Sequence, residues 1–174
     1  MRSSFLVLII VSVILNNVEC DMYSCVQTFG SNTYDLNRLS QFTLLGIDDQ
    51  YDYAFTPCSL VPSIACHGHI VENEMSCQYD RSFQMWSTMS FLDSKSRWPP
   101  NANATYTESP DGPGTGIVMT TTNGDPCFGV TRYMRIKFIC DRTVEQPMNM
   151  TIVEEIRCDF HVNIRAAQAC PRNQ

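Results

Sequence analysis

The sequence predicts an all-β domain cross-linked by disulfide bonds. Two segments, 132–138 and 159–165, alternate apolar and polar residues, which is typical of half-buried strands because successive side chains point to opposite faces of a sheet. The apolar faces carry Met134, Ile136 and Phe138 in the first segment, and Phe160, Val162 and Ile164 in the second. Four of the nine cysteines lie in residues 127–170, around these two segments. We therefore expect strands held together by disulfides.

The rest of the chain is predicted to be short β segments and turns. A weaker alternating run covers residues 150–154. Segments 34–40 and 53–58 are predicted to be extended, with a turn at 46–49, a short loop at 66–77, a core strand at 83–91 and a strand at 117–122. Residues 93–116 are rich in proline and glycine and predict a long surface loop.

Residues 1–20 are predicted to be a signal peptide. Arg2 supplies the positive charge, an apolar run follows at 5–15, and Val18 and Cys20 fit the small-residue positions before a cleavage site. The alternatives are a short membrane anchor or a lipid attached to Cys20. We expect cleavage before Asp21, which leaves residues 21–174 as one domain. No later apolar run approaches transmembrane length, so we expect the mature chain to be soluble.

Cysteine and asparagine motifs predict a secreted or lumenal protein. Removal of Cys20 leaves eight cysteines, an even number that is typical of a disulfide framework in an oxidising compartment. Eight cysteines allow 105 pairings, and composition does not choose among them. Asn103-Ala-Thr and Asn149-Met-Thr are acceptor motifs for N-glycosylation.

Composition and motifs argue against several function classes. The formal charge of −6 disfavours nucleic acid as a partner. Common hydrolase, metalloprotease and phosphate-loop motifs are missing from the sequence, and the adjacent Glu154 and Glu155 would face opposite ways on a strand, so we expect neither an enzyme nor a cofactor. The motif Cys66-His-Gly-His69 could bind a metal, but Cys66 is better explained by a disulfide, so no metal site is predicted.

Arg132 and Glu154 are the charged residues of most interest. Each stands at the end of an inward-facing apolar row, so each is expected at the rim of the core. A charge there must find partners, because an unpaired buried charge is costly. The two residues are therefore either an ion pair that closes the core or part of a ligand site.

The ordered cysteines and their neighbours resemble the mannose 6-phosphate receptor homology (MRH) domain. The resembling pieces, in order, are Tyr34-Asp-Leu, residues 53–58, Ser76-Cys-Gln78, Gly124-Asp-Pro-Cys127, residues 132–141 and Ala169-Cys170-Pro171. The resemblance implies a flattened β-barrel of two crossed antiparallel sheets. It also implies the disulfides Cys25–Cys58, Cys66–Cys77, Cys127–Cys158 and Cys140–Cys170.

The resemblance further implies a mannose site. Lectin members of this family hold mannose with a glutamine, an arginine, a glutamate and a tyrosine. These positions fall on Gln78, Arg132, Glu154 (less favourably Glu155) and Phe160, where a phenylalanine replaces the tyrosine. Arginine only donates hydrogen bonds, ionised glutamate only accepts them and glutamine does both, so the set suits sugar hydroxyls.

Phosphate recognition is not expected. In phosphate-reading receptors the loop before the matching cysteine supplies an acidic metal ligand, a histidine and backbone donors. Here that loop ends in Asp125-Pro126-Cys127, and Pro126 offers neither an imidazole nor a backbone N–H. The expected partner is therefore a mannose-rich N-glycan or glycoprotein, bound by a soluble secretory-pathway lectin in glycoprotein sorting or quality control. The alternative is an interaction or accessory module of the same fold, with a decayed sugar pocket and a protein partner.

Overall fold

The computed structural model describes residues 25–69, 71–91, 104–122, 124–147 and 149–172. The expected signal peptide, Cys20 and the glycosylation motif at Asn103 lie outside the described residues. Within the described ranges, none of the helical segments has the length and apolar character needed to cross a membrane.

Short strands make up most of the described chain. They are β1 Val26–Phe29, β2 Asn32–Asp35, β3 Leu44–Ile47, β4 Tyr51–Phe55, β5 Glu74–Asp80, β6 Met85–Phe91, β7 Thr105–Glu108, β8 Gly116–Thr121, β9 Pro126–Cys127, β10 Val130–Thr131, β11 Tyr133–Cys140, β12 Thr151–Ile156 and β13 Asp159–Ala166. Single 3₁₀ turns occupy Leu36–Leu39, Ser63–Cys66 and Ala167–Ala169.

Two sheets face each other across the core. One has five strands in the order β12-β13-β11-β8-β7, and the other has four in the order β3-β4-β5-β6. Contacts between the sheets include the rings of Phe55 and Phe138, with centroids 6.3 Å apart, and the hydrogen bond from Ser76 Oγ to Met134 Sδ at 3.3 Å. The hairpins β1-β2 and β9-β10 complete the fold.

The alternation in the two C-terminal segments produces the expected burial. The inward residues of β11 and β13 are at most 1% exposed: Met134, Ile136, Phe138, Phe160, Val162 and Ile164. Full burial of one such side chain contributes about 1.5–3 kcal/mol relative to leaving it exposed. These two rows therefore form a large part of the hydrophobic core.

Four disulfide bonds connect the strands and loops. They are Cys25–Cys58, Cys66–Cys77, Cys127–Cys158 and Cys140–Cys170, the four that the family resemblance implies. Cys127–Cys158 joins the β9-β10 hairpin to the turn between β12 and β13. The prediction of an all-β, disulfide-stapled, flattened barrel is confirmed.

Several local predictions need correction. The five-stranded sheet is mixed rather than antiparallel, because β11 and β13 run parallel in register from Tyr133↔Asp159 to Cys140↔Ala166. Residues 36–39 form a 3₁₀ turn rather than an extended segment. The turn expected at 46–49 begins two residues later, because β3 continues through Ile47.

Two further predictions were wrong at the surface. The predicted core strand 83–91 is only half buried, since Phe83 and Met85 are 72% and 64% exposed while Met89 and Phe91 are buried. The predicted surface loop contains strand β7, which pairs with β8 through Tyr106↔Met119.

Candidate functional site

The four residues of the expected sugar site come from four different elements. Gln78 lies on β5, Arg132 directly precedes β11, Glu154 lies on β12 and Phe160 on β13. In the structure two of them, Gln78 and Phe160, contact a residue that the sequence argument did not single out for this site, Tyr53 of β4. Tyr53 is 4% exposed and faces the core.

Gln78 sits opposite Tyr53 in the antiparallel pairing of β4 and β5. Directly paired residues on neighbouring strands share a face of the sheet, so both side chains point toward the core. Gln78 Nε2 donates a hydrogen bond to Tyr53 Oη at 3.4 Å. Gln78 is 5% exposed, so it is not a surface residue.

Arg132 is held against the loop that precedes Cys127. Its Nη1 donates to the carbonyl oxygen of Pro126 at 3.1 Å, and its backbone N–H donates to the carbonyl oxygen of Asp125 at 3.1 Å. Gly124 makes this approach possible, because a Cβ there would lie 2.7 Å from Arg132 Cβ and 2.4 Å from Met89 O.

The guanidinium of Arg132 is partly desolvated and only partly satisfied. Its Nε is buried and has no hydrogen-bond partner among the described residues. Burial lowers the pKa of Arg132 from its ordinary value, and the negative charges of Asp125 and Glu154 oppose that shift. An arginine keeps its charge in proteins, so Arg132 Nε is a buried cationic donor without a partner among the described residues.

Glu154 lies beside Phe160, its register partner across β12 and β13. Glu154 Oε1 accepts a hydrogen bond from the backbone N–H of Cys158 at 2.6 Å. Within the described ranges, no ion pair joins Arg132 and Glu154 directly, so the simple salt bridge considered from the sequence does not form. The adjacent Glu155 instead contacts His161, with Oε1 3.1 Å from Nδ1.

Phe160 forms the apolar floor beside these polar groups. It is 1% exposed, and its ring meets the ring of Tyr53 edge-on. The expected tyrosine hydroxyl is missing at this position, and the two phenols nearby come from β4 instead. Burial raises the pKa of both Tyr51 and Tyr53, and Glu154 contributes to both shifts.

Sequence reasoning missed Tyr51, Tyr53 and Asp48. Asp48 Oδ2 accepts a hydrogen bond from Tyr53 Oη at 2.7 Å. The signal that could have found the two tyrosines is their spacing, because Tyr51, Tyr53 and Phe55 alternate and so share the inward face of a strand.

The loop carboxylate Asp125 and the histidines of the Cys66-His-Gly-His69 motif are engaged in other contacts. The carboxylate of Asp125 accepts from the backbone N–H of Thr88 at 2.8 Å, which fixes it within the loop. His67 and His69 stack on Tyr79 and Trp86 respectively. In the part of the chain that the structure describes, no three His, Cys, Asp or Glu residues converge on a common point.

The arrangement suits a small polar ligand. A cationic donor, an ionised carboxylate and an amide lie around an apolar floor, and a sugar presents hydroxyls that donate and accept on an apolar ring. A ligand with the wrong hydroxyl geometry would leave the buried Gln78 amide and Arg132 Nε unpaired, which is how a polar site discriminates; Glu154, by contrast, is exposed.

Comparison with known proteins supports the fold. Chicken IGF2R domain 11 aligns with a TM-score of 0.59 and 14% identity, over 84% of this chain and 90% of that chain. Domain 11 of the echidna IGF2R receptor aligns with a TM-score of 0.54 and 17% identity, over 86% of this chain and 96% of that chain. The MRH domain of Yos9, solved with alpha3,alpha6-Man5, aligns with a TM-score of 0.49 and 12% identity, over 78% and 80% of the two chains.

No protein-family model matches the sequence, and no curated protein matches it. At identities of 14% and 17%, the likeness to the two receptor domains shows the fold alone. The chain therefore has the disulfide-stapled β-barrel fold of domain 11 of the IGF2R receptor.

Proposed function

We propose that this chain is a non-catalytic lectin that binds terminal mannose of N-glycans through Gln78, Arg132 and Glu154, with Phe160 as the apolar floor. The observation that carries the proposal is the buried Nε of Arg132, which has no hydrogen-bond partner among the described residues. A buried donor left unsatisfied costs about 1–3 kcal/mol. A ligand oxygen at this position would satisfy it.

The neighbouring groups favour a neutral polyol over an anion. Arg132 is near the negative charges of Asp125 and Glu154, so an added phosphate would be repelled by two carboxylates. Pro126 supplies only its carbonyl oxygen, which already accepts from Arg132. Unphosphorylated mannose is therefore the preferred ligand class.

The biological setting is proposed from the sequence. Cleavage of residues 1–20 would release domain 21–174 into the secretory or endolysosomal lumen or outside the cell, where disulfides persist. Binding of mannose-rich glycoproteins there would serve their sorting or quality control. Asn149 lies exposed beside the start of β12, where its acceptor motif is open to glycosylation.

The test is titration of the oxidised domain with mannose-terminated oligosaccharides and with matched galactose-terminated ones. Arg132→Ala should abolish mannose binding without preventing folding. Arg135→Ala is the matched control, because Arg135 lies on the outward face of β11 and is 50% exposed at its side chain. Mannose binding that survives Arg132→Ala, or equal binding of both sugars, would contradict the proposal.

An exposed apolar groove favours the second candidate function, a protein-interaction module. The groove beside β3 encloses about 440 Å³ and is lined by Leu45, Ile47, Pro62 and Ile64 among others. Ile47 and Ile64 are 74% and 87% exposed, which suits an apolar partner surface. If Ile64→Asp abolishes binding of a partner protein and Arg132→Ala retains it, the result would support this function.

A further inference from the structure

A chain of hydrogen bonds leads from the surface to the candidate sugar site. Asp48 lies exposed in the turn between β3 and β4, and its Oδ1 accepts from the backbone N–H groups of Gln50 and Tyr51 at 2.8 and 2.6 Å. Its Oδ2 accepts from Tyr53 Oη at 2.7 Å. Tyr53 Oη in turn accepts from Gln78 Nε2 at 3.4 Å.

The chemistry of these groups fixes the direction of every bond. An ionised carboxylate only accepts, so the single proton of the Tyr53 hydroxyl goes to Asp48. Burial and the hydrogen bond to Asp48 raise the pKa of Tyr53, so the phenol keeps that proton. The Tyr53 oxygen can then only accept from Gln78, and the amide of Gln78 must turn its NH₂ group toward Tyr53.

The carbonyl oxygen of Gln78 is consequently left for the ligand. Gln78 Oε1 has no hydrogen-bond partner in the part of the chain that the structure describes. Arg132 offers only donors, so an acceptor on Gln78 supplies what Arg132 lacks for binding a sugar hydroxyl, which both donates and accepts.

We propose that Asp48 and Tyr53 are positioning residues of the mannose site, which orient Gln78 so that its Oε1 accepts a hydrogen bond from one sugar hydroxyl. This inference rests on the proposed function. It adds a specificity rule that the four site residues alone do not give, because an unconstrained glutamine could present either end of its amide. It also lets an exposed residue that need not touch the sugar set the site's affinity.

Asp48→Asn is the sharpest variant. Asn Oδ1 can keep the two backbone bonds, which places Nδ2 where Oδ2 faced Tyr53. The Tyr53 oxygen then accepts from Nδ2, which frees the hydroxyl proton to donate to Gln78 Oε1 and so favours the reversed amide. Mannose affinity should fall about two- to tenfold, the range for one net hydrogen bond.

Asp49→Asn is the matched control, because Asp49 is the next carboxylate along the same turn and is exposed. It removes the same charge without changing a contact to Tyr53, so affinity should stay unchanged. Tyr53→Phe should lower affinity like Asp48→Asn in the wild-type background. In a Gln78→Ala background it should have no further effect, since Tyr53 acts through Gln78.

The experiment titrates these variants with methyl mannoside and its monodeoxy analogues, and records the side-chain NH₂ resonances of Gln78 by NMR without sugar. Wild type should discriminate strongly against one deoxy analogue, and Asp48→Asn should lose that discrimination and shift the NH₂ resonances. If wild type binds mannoside and Asp48→Asn has the same affinity and the same Gln78 resonances as wild type, Asp48 and Tyr53 do not orient Gln78, while the proposed function stands. An equal Tyr53→Phe loss in the Gln78→Ala background would also overturn this positioning role. No mannoside binding by wild type would overturn both the positioning role and the proposed function.

Discussion

Tyr53 of β4 and Phe160 of β13 meet edge to face between the two sheets, with ring centroids 6.4 Å apart and ring planes at 62°. This contact joins the four-stranded sheet to the five-stranded sheet at the candidate site. It also places the position that lacks the expected hydroxyl next to a phenol that is already engaged by Asp48.

Phe160→Tyr should therefore strengthen mannose binding. The ring keeps its packing, and the added hydroxyl supplies one hydrogen bond to the sugar, worth about 0.5–1.5 kcal/mol or roughly two- to tenfold in affinity. Titration with a mannose-rich oligosaccharide measures it, with Phe160→Tyr/Arg132→Ala as the control that should gain nothing. Unchanged affinity together with a lower melting temperature would mean that the hydroxyl is buried without a partner.

The sequence predicted those features that depend on local alternation. The inward rows of β11 and β13 follow from period-two patterning, since burial of one face makes the register cooperative along a whole strand. Alternation specifies a face but not a neighbour, so it could not show that β11 and β13 pair in parallel. Strand β7 was missed because its Pro- and Gly-rich surroundings resemble a loop, while its pairing partner β8 lies beyond them.

The candidate site was predictable only in part, for a similar reason. Gln78, Arg132 and Glu154 were implied by the family resemblance, which places them relative to the cysteines. Tyr53 and Asp48 depend on contacts between strands, and nothing local marks Tyr53 as the partner of Gln78, which lies 25 residues away. Trp86 lies within the predicted core strand 83–91, yet it is 39% exposed and stacks on His69.

Loss of the Cys127–Cys158 disulfide should damage both stability and sugar binding. The bond joins Cys127, next to the Pro126 carbonyl that Arg132 contacts, to Cys158. The backbone N–H of Cys158 donates a hydrogen bond to Glu154. Replacing both cysteines by serine should cost about 2–5 kcal/mol. The comparison is Cys66→Ser/Cys77→Ser, whose disulfide spans 11 rather than 31 residues and should cost less, because the entropic term grows with loop length.

Peptide mapping without reduction provides the direct check of the pairing. All eight cysteines of the expected mature chain should be oxidised, with Cys127 joined to Cys158 and Cys140 to Cys170. Free thiols at these four positions, or a Cys127–Cys140 link, would contradict the fold.

Glu108 should make the fold sensitive to acid. Its Oε1 accepts from Asn32 Nδ2 and Tyr34 Oη, both at 2.8 Å, and these bonds lower the pKa of Glu108. Burial, followed by the bond to Glu108, raises the pKa of Tyr34 to about 12, so the phenol remains a donor. Because the folded pKa of Glu108 is depressed, its contribution is fully present above the ordinary glutamate pKa of about 4.3 and is lost as pH falls through the depressed value.

Glu108→Gln should accordingly lower the free energy of unfolding at neutral pH, with the deficit shrinking as the pH drops below about 4.3. Denaturant unfolding at neutral pH and at a pH below about 4.3 measures the difference in the free energy of unfolding between wild type and variant. Glu145→Gln is the control, because it removes the same charge from an exposed position. A deficit for Glu108→Gln that stays constant with pH would show that the carboxylate is not linked to folding.

The most direct test of the central claim is the mannose affinity of Arg132→Ala, measured by titration alongside its melting temperature. A sugar site predicts wild-type binding to mannose-terminated glycans, complete loss in Arg132→Ala, retention in Arg135→Ala and a folded variant in both cases. If wild type binds no mannoside and Arg132→Ala only lowers the melting temperature, Arg132 is a structural residue and the lectin assignment is wrong.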